Sequence, residues 1–221
     1  MDRPLLKVCG LRETEQARAV AALGADAIGV IGVAASPRYV EPSRRAALFA
    51  AVATERPHCR RVLVVADPSD DDLAQLDPVA GGHQVVQLHG AETPERCLAL
   101  RRQVAGVRWW KALRIRSRND LDQARAYATV VDALLLDAWA PDQLGGTGQC
   151  LPLEWLGGFR PAVPWWLAGG VTAERVPDLL RVVRPSGLDA SSGVEDAPGL
   201  KNLERVAALV TAVRAAGDLE G

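Results

Sequence analysis

The sequence predicts an α/β fold, a single (β/α)8 TIM barrel, from two observations. Short apolar runs alternate with longer segments of helical periodicity eight times along the 221 residues. None of these runs alternates cleanly between apolar and polar residues, which is typical of parallel strands covered by helices. The chain has no linker or low-complexity segment, so we expect one barrel domain spanning 1–221. A doubly wound open sheet is the alternative, although eight strands are many for it.

The eight strands are expected where apolar residues run together. In chain order they lie at 5–9, 27–33, 61–65, 85–88, 109–113, 133–137, 165–168 and 187–190. Two of these strands contain tryptophan pairs, 109–110 and 165–166. Because successive strand residues face opposite ways, one tryptophan of each pair should face the barrel interior and the other the helices.

The first four helices are expected from their capping signals. Segment 14–23 ends at Gly24, and segment 42–54 begins with a proline. Segment 70–76 has acidic residues at its start, where the helix dipole favours them. Thr93 and Pro94 open the fourth helix as N-cap and first helical residue.

The last four helices follow from periodicity. The fifth is expected at 119–127, and the sixth is a short, weak segment at 151–156. The seventh should begin at Thr172, and the eighth should span 202–215.

Composition narrows the class of protein. The formal net charge of −1 and the sequence pI near 6.3 argue against a nucleic-acid partner. No apolar run approaches the length of about 20 residues needed to span a bilayer, and no signal-peptide pattern opens the sequence. The four cysteines are scattered without paired spacing, which predicts neither a disulfide framework nor a metal site. We therefore expect a cytoplasmic enzyme with no membrane partner.

Three small-residue loops predict a phosphate site. Two follow the last two strands, at 167–171 (LAGGV) and 188–195 (LDASSGVE), where barrels commonly hold phosphate. Glycine and serine let the backbone N–H groups approach an anion closely. Neither loop contains lysine or arginine, so these N–H groups and a helix N-terminus should carry the binding. The third loop, at 145–148 (GGTG), follows the sixth strand. The expected phosphate ligands are Gly146, Thr147, Gly169, Gly170, Ser192 and Gly193.

Five side chains at the C-terminal ends of strands are candidates for chemistry, because barrel active sites lie there. Cys9 ends the first strand, Asp137 ends the sixth, and Asp189 lies in the eighth. His89 follows the fourth strand, and Arg38 lies in the loop after the second, where it could grip a carboxylate.

Each candidate also has a structural alternative. Cys9 could be a small buried hydrophobe, Asp137 a loop carboxylate or N-cap, and Asp189 an anchor for the phosphate loop. Arg38 could be a solvated surface charge. Lys7 lies two residues before Cys9, so both should face the same side of the strand, and its ammonium should lower the thiol pKa.

Taken in order, the motifs resemble the phosphoribosylanthranilate isomerase family of tryptophan biosynthesis. The matching segments are 7–11 (KVCGL), 24–29 (GADAIG), 36–40 (SPRYV), 87–90 (QLHG), 135–137 (LLD), 145–148 (GGTG), 167–170 (LAGG) and 189–195 (DASSGVE). The resemblance covers nearly the whole chain. It departs at 29–35, where the family has aromatic residues and this chain has only small or aliphatic ones.

The resemblance implies a cofactor-free Amadori rearrangement of N-(5-phosphoribosyl)anthranilate to 1-(2-carboxyphenylamino)-1-deoxyribulose 5-phosphate. Cys9 would correspond to the general base and Asp137 to the general acid. Arg38 would hold the anthranilate carboxylate, with His89 and Asp189 among the substrate-binding residues.

Three alternatives stay open from the sequence. The related isomerase of histidine biosynthesis uses an aspartate where Cys9 stands, and indole-glycerol-phosphate synthase needs a lysine-rich site. A non-catalytic phosphosugar-binding barrel would be expected to lose Cys9 or Asp137. The sequence does not indicate an oligomeric state.

Overall fold

Eight parallel strands close into a barrel in chain order in a computed structural model that describes residues 3–137 and 153–218. The strands are β1 Leu5–Cys9, β2 Ala27–Ile31, β3 Arg60–Val65, β4 Val85–Leu88, β5 Arg108–Arg114, β6 Ala133–Asp137, β7 Trp165–Ala168 and β8 Gly187–Ala190. Strand β1 pairs with β8, from Leu5 opposite Gly187 to Val8 opposite Ala190. This closure confirms the predicted barrel and excludes the open sheet.

Helices connect the strands. They are α1 Thr14–Leu23, α2 Pro42–Glu55, α3 Pro78–Gly81, α4 Pro94–Gln103, α5 Arg118–Tyr127, α6 Glu154–Gly157, α7 Val176–Val182 and α8 Leu203–Asp218. The predicted caps of α1 and α4 are confirmed. Gly24 adopts a left-handed φ of 114° after α1, and the Thr93 side chain accepts a hydrogen bond from the Arg96 N–H.

The third predicted helix, at 70–76, is wrong. Only Leu73–Leu76 is helical there, as a 3-10 helix, and α3 begins afterwards at Pro78. A proline disfavours the helical conformation of the residue before it, and Asp77 is extended (φ −64°, ψ 116°). Asp77 instead caps α3 by accepting a hydrogen bond from the Val79 N–H.

Other boundaries also differ from the expectation. Strand β2 ends at Ile31 rather than at 33, because the Ile31 carbonyl accepts a bond from the Val40 N–H as the following loop returns. Helix α7 begins at Val176 rather than at Thr172, after a turn. Part of the sixth predicted helix, 151–152, lies outside the described residues. A hairpin that the sequence did not predict follows β8, formed by β9 Glu195–Ala197 and β10 Leu200–Lys201.

Two apolar clusters form the core, one between strands and helices and one inside the barrel. Trp109 and Trp165 belong to the outer cluster, and Trp110 and Trp166 to the inner one, as predicted. The inner pair packs ring against ring with centroids 4.8 Å apart. These two side chains fill part of the barrel interior, each level with the first residue of the strand that follows its own.

Gly187 makes room for the inner tryptophan pair. It pairs with Trp166 on β7, and a Cβ at position 187 would overlap the buried indole ring. We expect Gly187→Ala to lower the free energy of unfolding by about 1–3 kcal/mol, as overpacking does. Gly158→Ala is the matched control, since a Cβ there meets nothing within 4 Å. Urea denaturation would measure both, and equal stabilities for the two variants would contradict this packing.

Candidate active site

Strand ends place four of the candidate side chains at one mouth of the barrel. Cys9 ends β1, Asp137 ends β6, Asp189 lies in β8, and His89 follows β4 directly. Cys9 and Asp189 are buried, whereas Asp137 and His89 are partly exposed. Because all eight strands are parallel, these carboxyl ends meet at the same rim.

A buried ion pair lies inside the barrel below this rim. The Lys7 Nζ donates a hydrogen bond of 2.8 Å to Asp189 Oδ2, and the two side chains are 0% and 8% exposed. Burial acts to lower the pKa of Lys7, but the Asp189 charge and Cys9 outweigh it, so that pKa is raised. Lys7 is therefore charged and paired. The other carboxylate oxygen of Asp189, Oδ1, is buried without a hydrogen-bond partner among the described residues.

Cys9 and Lys7 share the inner face of β1, as predicted. A Cβ on Gly29 of the neighbouring strand would contact both the Sγ of Cys9 and the Cε of Lys7. Position 29 therefore has to be a glycine for the thiol to occupy its place.

The expected lowering of the thiol pKa is wrong in its net effect. Burial raises the pKa of Cys9, and the charge of Asp189 raises it further. The Lys7 ammonium does lower the pKa of Cys9, as the sequence suggested, but the paired carboxylate of Asp189 largely offsets its charge. The free protein therefore holds Cys9 as a neutral thiol at neutral pH.

The carboxyl group of Asp137 also has a raised pKa. Burial and the charge of Asp189 both raise the pKa of its carboxyl group, whereas Arg114 lowers it. Arg114 is paired in register with Asp137 across β5 and β6. Sequence reasoning missed Arg114, although a signal existed. It continues the inward-facing series of Trp110 and Ala112 at a spacing of two.

His89 is held as a neutral imidazole. Burial and the nearby charges of Lys7, Arg114 and Lys111 lower its pKa to about 4. The loop that carries it is fixed by a second buried ion pair, in which the Lys111 Nζ donates to Glu92 Oε2 at 2.8 Å. The same ammonium donates to the Gly90 carbonyl at 2.8 Å. Lys111 thus fixes the residue that directly follows His89.

Arg38 is bound to a carboxylate of the protein itself. This contact excludes the alternative that Arg38 is a solvated surface charge. Its Nε lies 2.9 Å from Glu195 Oε1, and its Nη2 lies 2.6 Å from Glu195 Oε2. Burial acts to raise the pKa of Glu195, but hydrogen bonds from Arg38 and Lys201 outweigh it and lower that pKa to about 2. Sequence reasoning placed Glu195 in a phosphate loop and missed this contact between distant segments.

The loops after β7 and β8 pack against each other. Gly169 and Gly170 both adopt left-handed φ angles, of 95° and 65°. A Cβ on Gly193 would lie 2.5 Å from the Val171 carbonyl oxygen, so only glycine allows this approach.

Several N–H groups of these loops are free to bind an anion. The N–H groups of Gly170, Ser192 and Gly193 have no hydrogen-bond partner among the described residues. The expected helix N-terminus is absent from this part of the structure, because Ser192–Val194 forms only a three-residue 3-10 helix and α7 starts late. Gly146 and Thr147 lie outside the described residues.

Residues 3–137 and 153–218 contain no group of three or more His, Cys, Asp or Glu side chains arranged to hold a metal ion. None of their helices is both long and apolar enough to cross a membrane.

Comparisons with known proteins agree on one family. A family model described as N-(5'-phosphoribosyl)anthranilate isomerase matches residues 6–212. The enzyme of that name from Synechococcus elongatus is 45% identical over 208 residues, covering 94% of this chain and 95% of that protein.

Solved structures give the same result. The crystal structure of phosphoribosyl anthranilate isomerase from Thermotoga maritima is similar with a TM-score of 0.83 at 27% identity, covering 96% of this chain and 99% of that one. A structure of phosphoribosyl anthranilate isomerase in complex with reduced 1-(o-carboxyphenylamino)-1-deoxyribulose 5-phosphate has a TM-score of 0.77 at 27% identity. It covers 96% of this chain and 99% of that one.

The raised pKa of Cys9 predicts slow alkylation by iodoacetamide at neutral pH, because only the thiolate reacts. The rate should keep rising beyond about pH 8.5, the range of an ordinary cysteine. Subtracting the rate of Cys9→Ser removes the contribution of other cysteines, of which Cys59 and Cys97 have pKa values raised to about 12 and about 11. A Cys9 rate already constant above pH 7 would mean that Lys7 outweighs burial.

Proposed function

The chain belongs to the N-(5'-phosphoribosyl)anthranilate isomerase family, and on that premise we propose that Cys9 and Asp137 are its general base and general acid. It is an aldose–ketose isomerase of tryptophan biosynthesis. The observation that carries the proposal is a pair of titratable groups with raised pKa values at one rim. Asp137 has a pKa raised towards the protonated form, and Cys9 ends a strand across the mouth.

The chemistry begins with ring opening. A protonated Asp137 donates its proton to the ring oxygen of the phosphoribosyl furanose, the bond from that oxygen to C1 breaks, and a Schiff base forms with the anthranilate nitrogen. The raised pKa of Asp137 favours the protonated form that this step requires. The resulting carboxylate can later recover its proton from water.

Cys9 carries the second step. The Schiff base makes the C2 proton acidic, and the Cys9 thiolate removes it, leaving an enolamine. This intermediate becomes the ketone when C1 gains a proton and the C2 hydroxyl loses one, so that substrate and product are isomers. The step needs a thiolate, which is the minor form in the free protein, and the Lys7 ammonium stabilises it.

Binding groups surround these two residues. The proposed ligand of the anthranilate carboxylate is Arg38, whose guanidinium lies in the loop after β2. The neutral imidazole of His89 and the unpartnered Oδ1 of Asp189 are proposed to bind sugar hydroxyls or the amine. The phosphate is proposed to sit on the N–H groups of Gly169, Gly170, Ser192 and Gly193, with Gly146 and Thr147 as further ligands by sequence. The proposed reaction uses no cofactor.

The proposal also includes a cellular location and a domain organisation. A cytoplasmic location fits the unpaired Cys9, Cys59 and Cys97, because free thiols persist in a reducing compartment. A single barrel domain spanning 1–221 fits the family match over 6–212.

The acid and base roles predict a turnover defect in two variants. Cys9→Ala and Asp137→Asn should each lower kcat at least about 10²-fold and change KM much less, because proton transfer operates mainly in the transition state. Steady-state kinetics with N-(5'-phosphoribosyl)anthranilate would measure this. Cys97→Ala removes another fully buried thiol, away from the rim, and should keep wild-type turnover. More than a tenth of wild-type turnover in Cys9→Ala or Asp137→Asn would refute that residue's role.

The phosphate assignment predicts where inorganic phosphate competes with substrate. Gly193→Ala should weaken inhibition by phosphate at least about fivefold, because the new Cβ forces the two loops apart and disturbs their N–H groups, which bind a charged group. Arg38→Ala should leave phosphate inhibition unchanged, since it acts at the other end of the substrate. If Arg38→Ala weakened phosphate inhibition and Gly193→Ala did not, the phosphate would have to lie at Arg38.

A further inference from the structure

Three charged side chains meet beside Cys9 and form what we call the Glu195 cluster: Arg38, Glu195 and Lys201. Arg38 comes from the loop after β2, Glu195 opens β9, and Lys201 lies in β10. Their side chains are 20%, 4% and 0% exposed. The cluster therefore joins the loop after the second strand to the hairpin after the eighth.

We propose that Glu195 is a positioning residue that holds the guanidinium of Arg38 in the orientation needed to receive the substrate carboxylate, with Lys201 fixing Glu195 in turn. This inference rests on the proposed function, in which Arg38 binds that carboxylate. It assigns the hairpin β9–β10 a role in substrate recognition.

The contacts to Arg38 leave one part of the side chain free. Nε and Nη2 bind the two oxygens of Glu195, and Nη1 has no hydrogen-bond partner among the described residues. A bidentate pair of this kind fixes the plane of the guanidinium as well as its position. The donors that remain for a ligand therefore point in a set direction before the ligand arrives, which reduces the entropy lost on binding.

Glu195 is itself anchored on its other side. Its Oε1 accepts a hydrogen bond of 2.6 Å from Lys201 Nζ and one of 3.1 Å from the Gly199 N–H. Gly199 has a left-handed φ of 83°, which the turn between β9 and β10 requires. The carboxylate is therefore fixed by its own hairpin independently of Arg38.

The charge balance favours an anionic ligand. Two cations share one carboxylate, so the cluster carries one excess positive charge. Burial lowers the pKa of Lys201, but the Glu195 carboxylate opposes this, and the pKa of Glu195 itself is lowered to about 2. A simple Arg–Glu pair would be neutral and would attract a carboxylate less.

The cluster is also linked to the proposed base. Lys201 Nζ donates to the Ser191 carbonyl at 3.2 Å, and the Ser191 hydroxyl donates to the Cys9 carbonyl at 3.1 Å. A Cβ on Gly10, the residue after Cys9, would collide with the Arg38 side chain. The direction of Arg38 and the place of Cys9 are thus set by the same contacts.

A double-mutant cycle tests the inference. Glu195→Gln should raise KM for N-(5'-phosphoribosyl)anthranilate about tenfold, the size expected for losing a hydrogen bond to a charged group, and lower kcat much less. Inhibition by inorganic phosphate should stay unchanged. Arg38→Ala should raise KM by more. The double variant should be no worse than Arg38→Ala alone, because Glu195 acts through Arg38.

Two further variants separate positioning from folding. Glu195→Asp keeps the charge but shortens the side chain by one methylene, so it should fold and still raise KM. Asp196→Asn changes the neighbouring exposed carboxylate of the same hairpin and should leave KM unchanged.

The outcomes distinguish the positioning role of Glu195 from the proposed binding of the substrate carboxylate by Arg38. If Arg38→Ala raised KM and neither Glu195→Gln nor Glu195→Asp did, the positioning role alone would be overturned. Additive losses in the double variant, or weaker phosphate inhibition in Glu195→Gln, would also overturn it, because they indicate a general structural role. An unchanged KM in Arg38→Ala would overturn the proposed carboxylate ligand itself.

Discussion

The ion pair between Lys7 and Asp189 is the interaction on which the rest of this site depends. It joins side chains 182 positions apart, on the two strands that close the barrel. Both charges are almost fully buried, and removing one partner of such a pair typically costs about 3–5 kcal/mol. A hydrophobic pair of similar volume could close the barrel as well. The ion pair therefore matters here for its electrostatic effect on the neighbouring groups more than for closing the barrel.

The two charges of the ion pair shift the pKa values of neighbouring groups in opposite directions. The carboxylate of Asp189 raises the pKa of Asp137, which favours a proton donor, and also raises that of Cys9, which disfavours a proton acceptor. The ammonium of Lys7 opposes the second shift and helps to keep His89 neutral. The free protein consequently holds Cys9 as a neutral thiol and shifts Asp137 towards its protonated form. These shifts favour the proposed acid, whereas the proposed base depends on the stabilisation that Lys7 provides.

Local signals in the sequence predicted the barrel and the strand-end candidates, because both follow from apolar runs and the parallel topology. They failed where long-range contacts decide the outcome. The contacts of Glu195 with Arg38 and Lys201 join segments that no periodicity links, and the hairpin β9–β10 is too short to have a pattern of its own. The direction of the Cys9 pKa shift was missed for the same reason. The sequence shows that Lys7 is nearby, but it does not show that Asp189 pairs with Lys7 and offsets its charge. The third helix begins at Pro78 and not at Asp70, because a proline favours the first helical position and Asp77 caps it.

The most direct test of the account is a crystal structure of this protein with reduced 1-(o-carboxyphenylamino)-1-deoxyribulose 5-phosphate, the ligand present in a related structure. The ligand's phosphate should lie on the loops after β7 and β8, and its carboxylate should lie on Arg38. C2 should lie beside the Sγ of Cys9, and Asp137 should face the sugar oxygens. A ligand bound with its carboxylate away from Arg38, or with C2 out of contact with Cys9, would contradict it.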